Sequence, residues 1–60
     1  MTGRDLQTIR EGAGVSREEL ARKLEVSAVT VYRWEKGQRR ISAAMSNLIR
    51  RVFAELEIPV

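Results

Sequence analysis

Residues 17–36 of the chain read REELARKLEVSAVTVYRWEK, and two helical patterns lie within them. The first pattern carries Leu20, Ala21 and Leu24 at the spacing of one helix face. The second carries Val31 and Trp34 on one face, and only residues 25–27 separate the two patterns. Two short helices joined by a three- or four-residue turn form a helix-turn-helix. The stretch therefore predicts this motif over residues 17–36.

Capping signals divide the whole chain into four helices. Ser and Thr are favoured N-caps because they accept hydrogen bonds from the free amides of the first turn, and an acidic residue three positions later strengthens the signal. We expect helices to begin after Thr2 (with Asp5), Ser16 (with Glu19), Ser27 and Ser42. The third helix is predicted over residues 28–36, before Gly37, and the fourth reaches about residue 57, before Pro59. The predicted fold is an all-α, compact four-helix single domain over residues 1–60.

The fourth helix has the clearest apolar stripe. The stripe residues project within about 60° of one another, and they are Met45, Leu48, Ile49, Val52 and Leu56. Phe53 lies at the edge of the stripe. We expect this helix to cover the core. In the first helix the apolar spacing is carried by Leu6, Ile9 and Ala13.

The composition excludes several classes of protein. The chain has no Cys and no His, so disulfides and the usual zinc ligands are excluded. It has no Gly-rich phosphate loop, and 60 residues are too few to enclose a substrate pocket. We therefore expect no enzyme activity, no catalytic residue, no metal and no cofactor. No secretory signal or membrane span is recognisable, and the lack of Cys fits a cytoplasmic protein.

Positive charge is concentrated after the predicted third helix begins. The chain carries a net charge of +3 and has a pI near 10.2. Arg33, Lys36, Arg39 and Arg40 lie close together, and only Glu35 opposes them. Such a run is either a solvated surface or a site for a polyanion.

A helical-wheel projection of the third helix favours a site for a polyanion. With Val31 and Trp34 turned inward, the opposite face carries Ala28, Val29, Tyr32, Arg33 and Lys36. An Arg can donate two hydrogen bonds to guanine, and Ala or Val can pack on a thymine methyl group. Trp34 stands among cations, but its place on the apolar stripe predicts a core residue and not a base-stacking one.

Several runs in register resemble one family. Residues 16–21, SREELA, resemble the usual S-Q-E-E-L-A, and residues 31–37, VYRWEKG, resemble the ending hydrophobic-x-x-hydrophobic-E-x-G. Over residues 4–56 the chain resembles the Cro and lambda-repressor-like helix-turn-helix domains, also called xenobiotic-response-element regulators. The resemblance implies a DNA-binding transcriptional regulator, in particular a repressor, of bacterial, plasmid or phage origin and associated with the nucleoid. It implies a homodimer on double-stranded DNA, with a palindromic operator, and no small-molecule effector is predicted.

The resemblance and the wheel together nominate the interface residues. We expect bases to be read by Ser27, Ala28, Val29, Tyr32 and Arg33, with Arg33 the strongest candidate. We expect phosphates to be bound by Ser16, Arg17, Lys36, Arg39 and Arg40, contacts that position the protein without reading sequence.

Family resemblance also implies structural features outside the interface. An Arg of the first helix often pairs with the Glu of E-x-G, here Arg10 with Glu35; the alternative is an Arg10 that extends its head into water. Glu25 occupies a turn position usually held by Gly, so either Glu25 adopts positive φ or the turn differs from the family's common form. Arg17 opposes the dipole of the second helix, a cost that a phosphate contact would offset.

Two questions stay open at this level. Phe53, Ile58 and Val60 form either a dimer patch or simply the cover of the core, and the family's usual fifth helix is missing or reduced to residues 58–60. The main alternative function is a protein-interaction module, antitoxin- or antirepressor-like, built on the same fold. A membrane-surface helix is a third option, weakened by Glu55 and Glu57 beside the arginines of the fourth helix.

Overall fold

The computed structural model describes the backbone of residues 1–56 and the side chains of residues 1–55. It contains four α-helices: α1 (Gly3–Gly12), α2 (Arg17–Leu24), α3 (Ala28–Glu35) and α4 (Ala43–Leu56). No strand occurs within the described residues. The predicted all-α, four-helix fold is therefore confirmed.

The four predicted N-caps hold the beginnings of the helices. In each case a Ser or Thr hydroxyl oxygen accepts a hydrogen bond of 3.1 Å from the amide three residues later. At α1 the box is reciprocal, because the Asp5 carboxylate also accepts from the Thr2 amide at 3.1 Å. The hydrogen bond from the Thr2 backbone amide is the main cause that lowers the pKa of Asp5, and one with the Thr2 side chain adds to it. The helix starts read from the sequence are thus confirmed.

The first three helices end in the same way. Beyond each end a residue adopts positive φ: Gly14 at 70°, Glu25 at 57° and Gly37 at 74°. The next amide then donates back five residues, as in a Schellman motif. Glu25 confirms the expectation of a left-handed non-glycine residue, which costs roughly 1 kcal/mol.

Each helix supplies one fully buried side chain to the centre of the core. These residues are Leu6, Leu20, Val31 and Ile49. Other buried apolar residues surround them: Val15, Ala21, Leu24, Trp34, Ile41, Val52 and Phe53. Trp34 is therefore a core residue, as predicted.

Two apolar stripes lie differently from the prediction. Leu48 is 37% exposed, whereas Phe53 is only 8% exposed and Ser46 is buried, so α4 is turned about its axis toward Phe53. Phe53 is buried and covers the core, which is one of the two roles that the sequence left open, and its part in a dimer patch stays a prediction. Ile58 and Val60 lie outside the described residues. In α1, Ile9 and Ala13 are exposed and Arg10 is turned inward instead.

The N-terminus of α1 packs closely against the C-terminal end of α3. A Cβ atom built on Gly3 would collide with the carbonyl oxygen of Trp34 and lie 3.1 Å from Glu35 Cα. Both neighbours are backbone atoms, which cannot move aside as a flexible side chain could. Gly3 therefore permits an approach of the two helices that no larger residue allows.

We predict that Gly3→Ala lowers the free energy of unfolding by about 1–3 kcal/mol, the usual range for overpacking. Gly12→Ala is the matched control, because a Cβ at Gly12 meets nothing within 4 Å. It should leave stability unchanged or raise it by up to about 1 kcal/mol. Urea unfolding followed by Trp34 fluorescence measures both variants. Equal stability of the two variants would contradict the close packing described above.

Candidate nucleic-acid interface

The α2–α3 pair is the most extensively packed pair of helices in the domain. Ala21 and Leu24 of α2 are buried, and so are Val31 and Trp34 of α3. Residues 25–27 form the turn, in which Val26 packs against the core. Since α3 is only eight residues long, anchoring one side leaves its other side facing outward.

The outward side of α3 carries the expected mixture of groups. Val29 is 55% exposed and Tyr32 is 42% exposed, although both are large apolar or aromatic residues. Arg33 is exposed beside them. Ala28 departs from the prediction: it is half-buried and packs against the core, because it lies beside the turn where α2 and α3 meet. Its methyl group is less available to a base than the wheel indicated.

The two candidate serines are engaged in caps. Ser27 Oγ accepts from the Thr30 amide at 3.1 Å and lies 2.9 Å from Thr30 Oγ1. Ser16 Oγ accepts from the Glu19 amide and donates to the Glu19 carboxylate at 3.2 Å. A DNA contact by either hydroxyl must therefore share an oxygen that already holds a helix end.

A group of exposed cations borders the outward side of α3. Lys36 is the C-cap of the helix, and Arg39 and Arg40 follow in the loop before α4. The Lys36 ammonium lies 5.6 Å from the centre of the Tyr32 ring, within the range of a cation–π interaction. The sequence-predicted Lys36, Arg39 and Arg40 are therefore accessible to a polyanion.

Beneath this surface lies a buried ionic network centred on Glu35. Arg10 Nε donates to Glu35 Oε2 at 2.6 Å and Arg10 Nη2 donates to Oε1 at 3.1 Å. Arg10 Nη1 also donates to the Val15 carbonyl at 2.9 Å, which holds the loop between α1 and α2. The carboxylate of Glu35 is fully buried. The structure thus contains the Arg10–Glu35 pair that the family resemblance implied.

Arg17 also binds Glu35, a contact that was not predicted from the sequence. Its Nε donates to Glu35 Oε1 at 3.0 Å, and its guanidinium carbon lies 5.2 Å from the centre of the Tyr32 ring. The unfavourable position of Arg17 at the start of α2 was the available signal. The buried carboxylate offsets that cost in the free protein, without any need for a phosphate.

The network fixes the charge states of its members. Burial alone would raise the pKa of Glu35, but hydrogen bonds from Arg10 and Arg17 outweigh it, so the pKa lies below its ordinary value. The hydrogen bond to Glu35 raises the pKa of Arg10. Glu35 is therefore ionised at neutral pH and holds two arginines at once.

The described residues contain neither a metal-binding cluster nor a membrane-spanning helix. No group of three or more His, Cys, Asp or Glu side chains is arranged to hold a metal ion within that part of the chain. None of the described helices is long and apolar enough to cross a membrane.

The fold and this surface define a class of compact, four-helix domains built around a helix-turn-helix. A family model described as helix-turn-helix matches residues 6–56, which is most of the chain. The chain belongs to the Cro and lambda-repressor-like helix-turn-helix family, whose members are DNA-binding transcriptional regulators. Comparisons with curated proteins and with solved structures gave no significant match.

We predict that acid unfolds the protein in part through Glu35. The unfolded carboxylate has a pKa of about 4.3, and the folded one lies lower, so the unfolded state binds more protons between the two values. The stabilisation is present above the unfolded-state pKa and is lost as the pH falls through the folded-state pKa. Urea unfolding at a series of pH values should show this loss below about pH 4.5.

The variant Glu35→Gln isolates this contribution. It should lower the free energy of unfolding at pH 7 by about 3 kcal/mol, because buried Arg10 and partly buried Arg17 lose their counter-ion. It should also reduce the loss of stability at acid pH. An osmolyte can be added to keep the variant folded. Asp5 also has a lowered pKa but is present in both proteins. The control Glu55→Gln removes an exposed carboxylate and should lose stability at acid pH as the wild type does. The same loss in Glu35→Gln would contradict the role of Glu35.

Proposed function

We propose that the protein is a sequence-specific DNA-binding transcriptional regulator, and in particular a repressor, that inserts α3 into the major groove. Family membership supports DNA binding. The observation that carries the specific proposal is the outward side of α3, where Val29, Tyr32 and Arg33 stand exposed on a helix whose other side is anchored in the core. A recognition helix needs that two-sided arrangement.

The chemistry of the exposed side assigns the roles. Arg33 is the proposed reader of guanine, through two hydrogen bonds to its O6 and N7 atoms. Val29 is suited to a thymine methyl group, and Tyr32 offers both a ring face and a hydroxyl. Ser27 and Ala28 flank these residues and contribute less, since one is engaged in the cap and the other is half-buried.

Phosphate binding is assigned to the surrounding cations. Lys36, Arg39 and Arg40 are exposed next to the end of α3, where they can grip the backbone beside the groove. At the start of α2, Arg17 keeps terminal N–H groups beyond the one that binds Glu35, and the first-turn amides lie beside Ser16. These contacts supply affinity that weakens as salt rises.

A homodimer on a palindromic operator is the proposed arrangement. One α3 covers too few base pairs for useful discrimination, and two copies related by a two-fold axis place their helices about one helical turn of DNA apart. The proposed location is the nucleoid in the cytoplasm, where such an operator would be found. No effector, cofactor or chemical reaction forms part of this proposal.

Selection from a random pool of duplex DNA at near-physiological salt tests this function. We expect enrichment of a palindrome with half-sites about 10 base pairs apart. Binding that enriches no sequence and disappears as salt rises would reduce the protein to a non-specific binder. No binding even at low salt would contradict the DNA proposal and favour a protein-interaction module.

Arg33→Ala should relax the preference at one base pair of each half-site, at a cost of about 1–3 kcal/mol. Arg51→Ala is the matched control, because Arg51 is an exposed arginine on α4. Binding constants for the selected site and its single-base variants, measured by fluorescence anisotropy, provide the comparison. A uniform loss over all sequences would show that Arg33 contacts phosphate and does not read a base.

A further inference from the structure

Arg17 connects the buried network to the exposed side of α3. Its Nε lies 3.0 Å from Glu35 Oε1, while its guanidinium carbon lies 5.2 Å from the centre of the Tyr32 ring. Lys36 approaches the same ring at 5.6 Å. Tyr32 thus has two cations against it, and one of them is itself tied to a buried carboxylate.

The two contacts bear on the orientation of the Tyr32 ring. A tyrosine that is 42% exposed would ordinarily exchange between staggered side-chain positions. The planar guanidinium of Arg17 can rest on the ring face while its edge binds Glu35. Glu35 and Tyr32 are three residues apart and therefore neighbours on the surface of α3, so one Arg17 side chain can contact both the buried carboxylate and the exposed ring.

We propose that Arg17 is a positioning residue for base readout, which acts by holding the Tyr32 ring in one orientation on the recognition helix. The inference rests on the proposed function and deepens it. Arg17 then differs from an ordinary phosphate contact. Loss of a phosphate contact weakens binding to every sequence alike, whereas loss of a positioning contact changes the preference for one base pair.

The variant Arg17→Lys separates the two roles. Lysine keeps the positive charge near the phosphates. Its compact ammonium lacks the planar face and the separate N–H edge with which a guanidinium can contact the Tyr32 ring and the Glu35 carboxylate together. We first identify the base pair that Tyr32 reads, as the position where Tyr32→Leu loses discrimination in competition binding. Arg17→Lys should reduce discrimination at that base pair by about 3- to 10-fold, out of the roughly 5- to 150-fold that a specific contact supplies. The salt dependence should stay within error of the wild type.

Two controls accompany this variant. Arg22→Lys changes an exposed arginine elsewhere on α2 and should leave every base preference unchanged. Arg17→Lys in the Tyr32→Leu background should produce no further loss of discrimination, because the residue through which Arg17 acts is absent. Thermal unfolding of each variant confirms that the folded state is compared, and a loss of stability alone would weaken binding to all sequences equally.

A measurement without DNA tests the same inference independently. Three-bond couplings across the Cα–Cβ bond of Tyr32 should indicate one side-chain position in the wild type and an average over several in Arg17→Lys. An averaged Tyr32 in the wild type overturns the inference even if the protein selects a DNA sequence.

The DNA outcomes are equally decisive. A wild type that selects a sequence, together with an Arg17→Lys variant that keeps every wild-type base preference, overturns the positioning role and leaves the proposed function intact. The same holds if Arg17→Lys weakens all sequences uniformly, or if it loses further discrimination in the Tyr32→Leu background. A wild type that selects no sequence overturns both proposals.

Discussion

The buried carboxylate of Glu35 is the constraint on which the rest of the structure depends. A charge out of contact with water is costly unless it is paired and hydrogen-bonded. Glu35 meets this condition by drawing Arg10 from α1 and Arg17 from α2 onto the last residue of α3. Arg10 also holds the loop before α2 through the Val15 carbonyl. One side chain therefore fixes the relative positions of three helices. Such pairs are better at specifying an arrangement than at adding net stability, which suits the reading role proposed for α3.

The short length of α3 makes it serve two purposes. Its eight residues supply core contacts and, in the proposed function, the surface for recognition. Val31 and Trp34 provide the core contacts, and Glu35 provides the ionic one. Val29, Tyr32 and Arg33 are left outward, where a solvent-exposed apolar residue and an aromatic ring gain little from the fold itself. The close approach of Gly3 to the backbone of Trp34 and Glu35 secures the far end of the same helix. The buried side of α3 is thus held by contacts with both α1 and α2, while its other side faces outward.

Local signals predicted the fold well, and tertiary contacts account for what they missed. Caps such as Ser27 depend on hydrogen bonds within four residues, so the helix boundaries could be read directly from the chain. The rotation of α4 depends on how its side chains fit against α2, and a wheel ranks Leu48 and Phe53 only by hydrophobicity. The role of Gly3 requires knowledge of a neighbour more than thirty positions away. Within the candidate site, the outward position of Arg33 followed from periodicity, and the Arg10–Glu35 pair followed from family resemblance. The second arginine on Glu35 followed from neither, because an Arg at a helix start is ordinarily exposed.

The central claim is that the outward side of α3, held by the Glu35 network, is the surface that meets DNA. The most direct test is a titration of ¹⁵N-labelled protein with a short DNA duplex at low ionic strength, where binding of any kind is strongest. We expect the amide shifts to change most at Val29, Tyr32 and Arg33 and along residues 36–40, which include Lys36, Arg39 and Arg40. Exposed positions of α4, such as Arg51, should stay unchanged. Shift changes centred on α4, or none at saturating duplex, would contradict the account.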